Sequence, residues 1–513
     1  MTLINTAFRY FARRRVRKLA AQDPVVTQER VLQKLIHSAK NTRFGRDHAF
    51  QSIRNSSDFQ NAVPLRRYEA HWSEYWENDY PNLVDVTWPG KIPFFAVTSG
   101  TTSGTSKKIP VSHEMNRANT RGALDVVLHH LVQQPQSRAA GGKNFFLGGS
   151  VVLRECAPGV LAGDLSGIAI RQTPKWYRPF IFPPNDVVNE PDWERKVERI
   201  IDILPGQDIR ILGGTPSWLL YLIERQKNRA GSHLSSRRLY PNLELLVHGG
   251  VNFKPYRERF VDFLDGIGET REVYPASEGF IAVQDETPEA GLRLTTDNGL
   301  FFEFVPVDEL QNANPTRHTL ANAETSVNYA IVLSTCAGCW AYILGDTVRF
   351  VSTNPPRILV TGRTSYFMSA FGEHLIGEEI EEAVAAGAEK INTSLSDFSL
   401  GAVYPKSTKD VGYHLYIVEF IRYPLSKNET SQFRKALEDV LCTRNDDYRI
   451  ERMDYGVIGA PKIFPVPLGT FASWMKSRGK LGGQNKVPRV INDTELFTDL
   501  EQFARNRISS AQD

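Results

Sequence analysis

The sequence predicts an α/β protein: a large, multi-subdomain N-terminal α/β domain with an added β-rich subdomain, and a small α+β domain at the C-terminal end. Three observations carry this. Between residues 89 and about 360, short apolar runs alternate with helical patterns, the signature of α/β architecture. After residue 290 several strand-like runs follow one another without helices between them, which calls for an antiparallel or mixed subdomain. At Gly362-Arg363-Thr364-Ser365 the pattern changes, and the domains are read as 1–363 and 364–513. A length of 513 residues suits several domains, and 41% hydrophobic with 11% aromatic residues is ample for sizeable cores.

Taken in order, the first 22 residues hold no acid and carry Arg9, Arg13, Arg14, Arg15, Arg17 and Lys18 beside Phe8, Tyr10 and Phe11. A capping helix with a solvated basic face accounts for them; a transit peptide or a membrane-surface helix has the same composition. Residues 24–88 read as helical and irregular, with an apolar stripe at Val31-Leu32, Leu35-Ile36 and Ala39. Tyr68, Trp72, Tyr75, Trp76 and Tyr80 are assigned to packing. Ile92 to Val97 reads as a buried strand, followed by a Ser/Thr/Gly loop and then a helix through Leu124 and Leu131. Further strands are expected at Phe145–Leu147, Ile209–Leu212, Leu243–Val247, Phe301–Val307, Tyr329–Leu333 and Arg357–Val360, with helices at Trp193–Ile203, Ser217–Arg225 and Tyr256–Phe263. In the small domain, Glu378–Ala386 reads as a helix and Tyr413–Phe420 as an alternating strand; Phe433, Leu437, Val440 and Leu441 mark a second helix.

Net charge is +3, 61 basic minus 58 acidic residues, so nucleic acid is not expected as the main partner. No apolar run approaches the roughly 18 residues of a spanning helix. Four cysteines make no disulfide framework, and Cys336-x-x-Cys339 lacks the second ligand pair a zinc site needs, so a reducing, cytoplasmic setting is the default expectation.

Five stretches point to chemistry. The loop Thr98-Ser99-Gly100-Thr101-Thr102-Ser103-Gly104-Thr105-Ser106-Lys107-Lys108 can aim backbone N–H groups, hydroxyls and a lysine at phosphate oxygens. It is not a Walker A loop, because three residues rather than four separate Gly100 and Gly104; a solvated linker is the alternative, disfavoured because linkers rarely sit between a buried strand and an amphipathic helix. Gly249-Gly250 end a strand and leave room for a flat ligand, or simply make a turn. Tyr274 followed by Ser277 and Glu278 suits an aromatic that stacks on a base and a carboxylate that holds Mg²⁺, or an exposed loop. Gly345-Asp346, expected at a strand end, suits a carboxylate gripping ribose hydroxyls, or a β-turn. Lys486, in the glycine-flanked stretch Gly479–Arg489, can be carried to a developing negative charge, or be merely solvated.

In this order the five stretches resemble the GH3 family of acyl-acid amido synthetases, closest to its bacterial branch. Gly372-Glu373, Gln484-x-Lys486-x-Pro488-Arg489, Asn41-Thr42-Arg43-Phe44-Gly45 and Val63-Pro64 extend the resemblance over nearly the whole chain. The resemblance implies an adenylate-forming architecture with a mobile C-terminal domain. It implies a ligase that uses ATP and Mg²⁺ to turn a carboxylic acid into an acyl-AMP, then passes the acyl group to an amine such as an amino acid. Carried over residue by residue, Ser99, Gly100, Thr101, Thr102 and Lys107 or Lys108 would contact phosphates. Tyr274 would stack on adenine with Gly249-Gly250 along the ring, Ser277 would contact the nucleotide, and Glu278 would hold Mg²⁺ and act in catalysis. Asp346 would bind ribose, Arg363 would contact ribose or the hinge, and Lys486 would serve adenylation as the catalytic lysine. Gly214-Thr215-Pro216-Ser217-Trp218 would border the acid. One departure stands out: the family's Tyr-Arg before Gly-Asp reads Trp340-Ala341-Tyr342 here. His113, His248 and Glu373 are candidates to take the amine proton, each with a structural alternative. An acyl-CoA ligase on the same scaffold, or a non-catalytic nucleotide-binding or membrane-associated scaffold, are the competing readings.

Overall fold

The computed structural model of the chain describes residues 3–98, 107–148, 151–190, 192–230, 236–250, 253, 256–266, 268–364, 367–368, 370–371, 373, 375–404, 411–454, 458–481 and 486–509. The chain forms two compact units. One comprises Met1–Phe253 with Phe260–Val360; the other comprises Lys254–Arg259 with Thr361–Asp513.

In the first unit, helices α1 (Leu3–Ala20) and α2 (Pro24–Ala39) precede a strand pair, β1 (Phe94–Thr98) and β2 (Lys107–Val111), and the long helix α3 (His113–Gln133). Here the sequence expectation needs correction. The chain leaves the Ser/Thr/Gly loop as a second strand, antiparallel to the first with Thr98 opposite Lys107 and Val97 opposite Lys108, and only then enters the helix. Lys107-Lys108-Ile109-Pro110-Val111 alternates too weakly to read as a strand by itself. The pairing comes from β1, whose edge it covers. Ser112 caps α3 by accepting from the Met115 N–H, and its hydroxyl donates to the Cys336 carbonyl at 2.6 Å, which fixes the foot of the hairpin.

The larger sheet has eleven strands in the order β12-β13-β14-β15-β11-β10-β9-β8-β7-β3-β6. Its parallel half is β3 (Lys143–Leu147), β6 (Ile181–Phe182), β7 (Ile209–Gly214), β8 (Leu245–Gly249) and β9 (Glu269–Ala276). The helices α4 (Trp193–Ile203), α5 (Pro216–Ala230) and α6 (Arg257–Leu264) alternate with these strands. The other half runs through β10 (Gly279–Val283), β11 (Leu292–Leu294), β12 (Leu300–Pro306), β13 (Asn328–Thr335), β14 (Tyr342–Thr353) and β15 (Pro356–Arg363), paired antiparallel along β9-β10-β11-β15 and β12-β13-β14. Between β3 and β6, β4 (Arg154–Ala157) and β5 (Val160–Gly163) join β1 and β2 in a four-stranded sheet. Helix α3 lies close on β10 because Gly122 has no side chain: a Cβ there would sit 2.6 Å from the Phe280 ring.

The aromatic segment before β1 builds the core, as expected. Phe44 stacks on Trp340 at 5.9 Å and Phe50 meets it edge-on at 4.7 Å between ring centroids, and the Trp340 indole donates to the Thr87 carbonyl. All three residues that depart from the family pattern, Trp340, Ala341 and Tyr342, are buried. Cys336 and Cys339 are buried free thiols, and burial pushes Cys336 up to about 12. One buried ion pair ties the early helices to the sheet. Glu303 on β12 is fully buried and takes two hydrogen bonds from Arg317 at 2.9 Å and one from Gln60; Arg317 also donates to the Gln60 and Val63 carbonyls.

The second unit is a four-stranded sheet, β20 (Lys462–Val466), β19 (Tyr413–Phe420), β18 (Leu395–Val403) and β21 (Val490–Ile491) in that order. Helices α7 (Gly377–Lys390) and α8 (Lys427–Arg444) contribute to one core, and α9 (Thr470–Ser477) and α10 (Thr494–Ser509) to another. Each core takes alternate residues of β19: Tyr416, Val418 and Phe420 in the first, Leu415 and Ile417 in the second.

Arg317→Met strands the Glu303 carboxylate in the core and should cost about 3–5 kcal/mol in urea unfolding. The double variant with Glu303→Gln should recover part of that loss; a single variant as stable as the parent would show that the pair carries no such cost.

Candidate active site

The carboxyl end of β9 turns into β10, the first strand of the antiparallel half, beside the end of β8, and Lys107 of the β1–β2 hairpin acts on Glu278 in that turn. Open α/β sheets bind ligands in this position. Gly249 ends β8 opposite Val273 of β9, and a Cβ at Gly249 would stand 2.2 Å from the Val273 carbonyl oxygen. Close strand approach therefore demands this glycine, independently of any ligand. Gly250 follows with φ of +86°, which turns the chain away from the sheet. Tyr274 is the next residue along β9.

Gly345-Asp346 does not end a strand. It lies inside the twelve-residue β14 at a bulge: Ala330 pairs with Thr347 and Val332 with Ile343, so one residue of β13 faces three of β14. Gly345 takes φ of +95°, which a side chain would resist. The bulge sets Asp346 against Tyr274, whose hydroxyl donates to the Asp346 carboxylate at 2.5 Å. The turn after β9 carries Ser277, half-buried, and Glu278, 8% exposed. Burial pushes the Glu278 carboxyl above its ordinary range, and the neighbouring Asp346 charge adds to this; a hydrogen bond from the buried Tyr342 hydroxyl and the Lys107 charge work against it.

The sequence left Lys107 and Lys108 open, and their environments differ. Lys107 is the one whose charge acts on Glu278; its ammonium also lies 3.9 Å from Glu69 and 5.2 Å from the centre of the Tyr68 ring. Lys108 points the other way, into an aromatic cage with Tyr80 at 4.3 Å and Trp72 at 5.1 Å. Part of the segment read as packing thus holds this lysine. Ser99, Gly100, Thr101 and Thr102 lie outside the described residues.

Sequence reasoning gave no role to Tyr342. It is fully buried, and its own proton is held tightly by burial and by the Glu278 charge. Arg66 brackets it: the Arg66 N–H donates to the Ala341 carbonyl at 3.0 Å, and the Ile343 N–H donates to the Arg66 carbonyl at 2.8 Å. Its place in the Gly-Asp motif was the available signal, but pairing with Glu278 depends on two distant strands meeting.

Arg363 and Lys486 belong to the second unit. Lys486 is exposed, and residues 482–485 beside it lie outside the described ones. Its C-terminal flank is anchored to β18: the Ser399 hydroxyl donates to the Pro488 carbonyl and the Leu400 N–H to the Arg489 carbonyl, both at 2.7 Å. The Arg489 guanidinium lies over the Phe398 ring and binds Asp397 and the Tyr256 hydroxyl.

The three candidate proton acceptors differ. His113 is exposed at the start of α3. His248 is buried and stacked on Phe253 at 3.6 Å. Glu373 is fully buried and accepts from the Ala370 and Phe371 N–H groups and from His414 at 2.7 Å. That environment holds its carboxyl below the ordinary range despite burial and makes it an internal anchor.

Three models of one family match the chain in order: the GH3 family N-terminal domain over residues 14–201, the central domain over 293–363 and the C-terminal domain over 378–495. Among curated proteins, indole-3-acetic acid-amido synthetase GH3.3 of Arabidopsis thaliana is 22% identical over 289 residues, 53% of this chain and 47% of that one. Jasmonoyl–L-amino acid synthetase JAR4 of Nicotiana attenuata is 25% identical over 293 residues, 53% of this chain and 48% of its own. The chain spans about half the length of the curated relatives it matches. Among solved structures, AtGH3.15 acyl acid amido synthetase in complex with 2,4-DB superposes with a TM-score of 0.79 at 17% identity, covering 96% of both chains. 2-Hydroxyisobutyryl-CoA ligase, in the postadenylation state with 2-HIB-AMP, gives 0.58 at 14% identity, covering 93% and 91%. The fold is thus that of adenylate-forming enzymes, and with all three of its domain models matched in sequence order the chain belongs to the GH3 family.

Proposed function

We propose that this protein is an ATP-dependent acid–amine ligase: it activates a carboxylic acid as an acyl-AMP and transfers the acyl group to an amine, of which an amino acid is the leading candidate. The observation that carries the reading is the convergence of Tyr274, Glu278, Tyr342, Asp346 and Lys107 at the carboxyl ends of β8 and β9, in a member of this family.

In the first step a carboxylate oxygen attacks the α-phosphorus of ATP and pyrophosphate leaves. The carboxylate needs no base; it needs relief of the charge gathered on phosphate and carboxylate. Lys107 supplies one positive charge at the loop end of the hairpin. Ser99, Gly100, Thr101 and Thr102 are proposed to contact phosphate. Lys486 is proposed to supply the second charge at the reacting carboxylate and α-phosphate. Tyr274 with Ser277 and Gly249-Gly250 is assigned to the base, and Asp346, oriented by the Tyr274 hydroxyl, to the ribose; Arg363 is assigned to the ribose or the hinge. In the second step the amine nitrogen attacks the acyl carbon, AMP leaves, and the nitrogen gives up a proton.

Among the described residues no group of three or more His, Cys, Asp or Glu could hold a metal by itself. A single buried carboxylate within reach of the Lys107 charge fits Mg²⁺, which takes much of its shell from phosphate oxygens and water. Glu278 would hold it, and when bound it would neutralise phosphate charge.

The adenylating half is common to amide and thioester formers, so identifying the product with amino acids and with CoA decides between them. Acid-dependent ATP–pyrophosphate exchange should be present, and Lys486→Ala should reduce it by about 10²–10³-fold while ATP still binds. Unchanged exchange would remove Lys486 from the step. Asp346→Ala should weaken ATP binding about tenfold or more in a titration; an unaltered curve would count against the ribose assignment. The pH profile of exchange should rise through a group titrating above the ordinary glutamate value of 4.5, because Glu278 acts only when ionised and burial raises its pKa. Tyr342→Phe removes a hydrogen bond that favours the ionised form, so it should move that acid limb to higher pH. A limb left in place would uncouple Tyr342 from Glu278.

A further inference from the structure

The function proposed above makes no use of α1 (Leu3–Ala20), an 18-residue helix with six arginines and lysines and no acid. Its inner face is committed. Arg15 donates to Asp125 at 2.7 and 2.8 Å and to Asp297 at 2.6 Å. Arg9 donates to the Leu131 and Gln134 carbonyls, and Ala12 packs with Leu128 and Leu131 of α3. These contacts fix which side of the helix faces outward.

The outer face has a different composition. Tyr10, Arg13, Arg14 and Arg17 recur at i, i+3, i+4 and i+7, with Phe11 and Lys18 alongside. All six are exposed; Tyr10 and Phe11 are 73% and 49% accessible. Lys18, with a side chain 69% exposed, has its nearest acid, Asp297, at 4.0 Å. Two aromatic rings at one end of the stripe and four cations along the rest, in a chain whose net charge is only +3, concentrate charge and apolar surface on one ledge. This is the composition of a helix lying in the headgroup region of an anionic bilayer, with Tyr and Phe at the interface and Arg/Lys at the phosphates. A nucleic-acid site would draw on a broader basic field, which the balanced charge of the chain does not supply.

We propose that the outer face of α1 docks the protein reversibly on membranes rich in anionic phospholipid, through Arg13, Arg14, Arg17 and Lys18 at the phosphates and Tyr10 and Phe11 at the interface. No helix among the described residues is long and apolar enough to span a membrane.

The test is co-sedimentation of the full chain with phosphatidylcholine vesicles, with and without about 30% phosphatidylserine. Binding to the anionic vesicles should be at least tenfold stronger than to phosphatidylcholine alone and should fall steeply between 0.1 and 0.5 M NaCl, as screening at about 10 Å and below requires. The variant R13E/R14E/R17E should lose it. The control K390E/K427E/K435E makes the same change in net charge on the second unit and should keep it. Thermal melts of both variants report whether α1 stays docked; Tyr10→Ser with Phe11→Ser, which leaves every charge in place, should weaken binding several-fold. Equal partition to both vesicle types, retained binding by the α1 charge variant, equal loss in the control, or tighter binding to RNA than to vesicles through the same three arginines would each overturn the proposal.

Discussion

Everything at the site follows from one constraint: the Glu278 carboxylate is placed in the interior, where its charge is costly, and is kept usable by a small set of neighbours. Burial by itself shifts its titration upward. The Tyr342 hydroxyl and the Lys107 ammonium oppose that, and Asp346 reinforces it. Such a balance makes a carboxylate whose ionised form gains most when a further cation or charged ligand arrives. The rest of the first unit supplies the geometry. The β14 bulge turns Asp346 toward Tyr274, the Ser112 cap fixes the hairpin that ends in Lys107, and Arg66 brackets Tyr342 from the early helical segment.

The two lysines at the end of the hairpin show how one strand serves two ends. Successive side chains of β2 point to opposite faces, so adjacent lysines must part. One is left near the acids of the site and the other is enclosed by Tyr80 and Trp72. The composition of the loop suggested phosphate contact, but only the strand after it decides which ammonium faces the acids.

Much of this was legible in the sequence. Trp193–Ile203 read correctly because its helical period is strong and uninterrupted; Tyr413–Phe420 is the strand expected, but it feeds a core on each face instead of alternating between core and solvent. Three of the five motif stretches hold residues that interact in the first unit, namely Lys107, Tyr274 with Glu278, and Asp346, whereas Lys486 lies in the second unit. What failed to read has physical causes. β2 is made a strand by β1, so a local pattern could not show it. Gly345-Asp346 looked like a strand end because glycine and aspartate usually break strands; a bulge lets both stand inside one. The strand character of β9 and β10 was masked by Pro275 and Gly279, and the hydrogen bond from Tyr342 to Glu278 joins residues 64 positions apart in the chain. For Glu373 the structural alternative weighed beside the chemical one fits what is seen: a fully buried acid held by two N–H groups and His414.

The central claim is that an acid oxygen attacks the α-phosphorus of ATP at this site. The most direct measurement follows ¹⁸O from a carboxyl-labelled acid through one complete turnover with ATP and an amine. Attack at the α-phosphorus predicts AMP and pyrophosphate as products, with one ¹⁸O in AMP and none in pyrophosphate. Label recovered in inorganic phosphate with ADP, or amide formation that leaves AMP unlabelled, would contradict it.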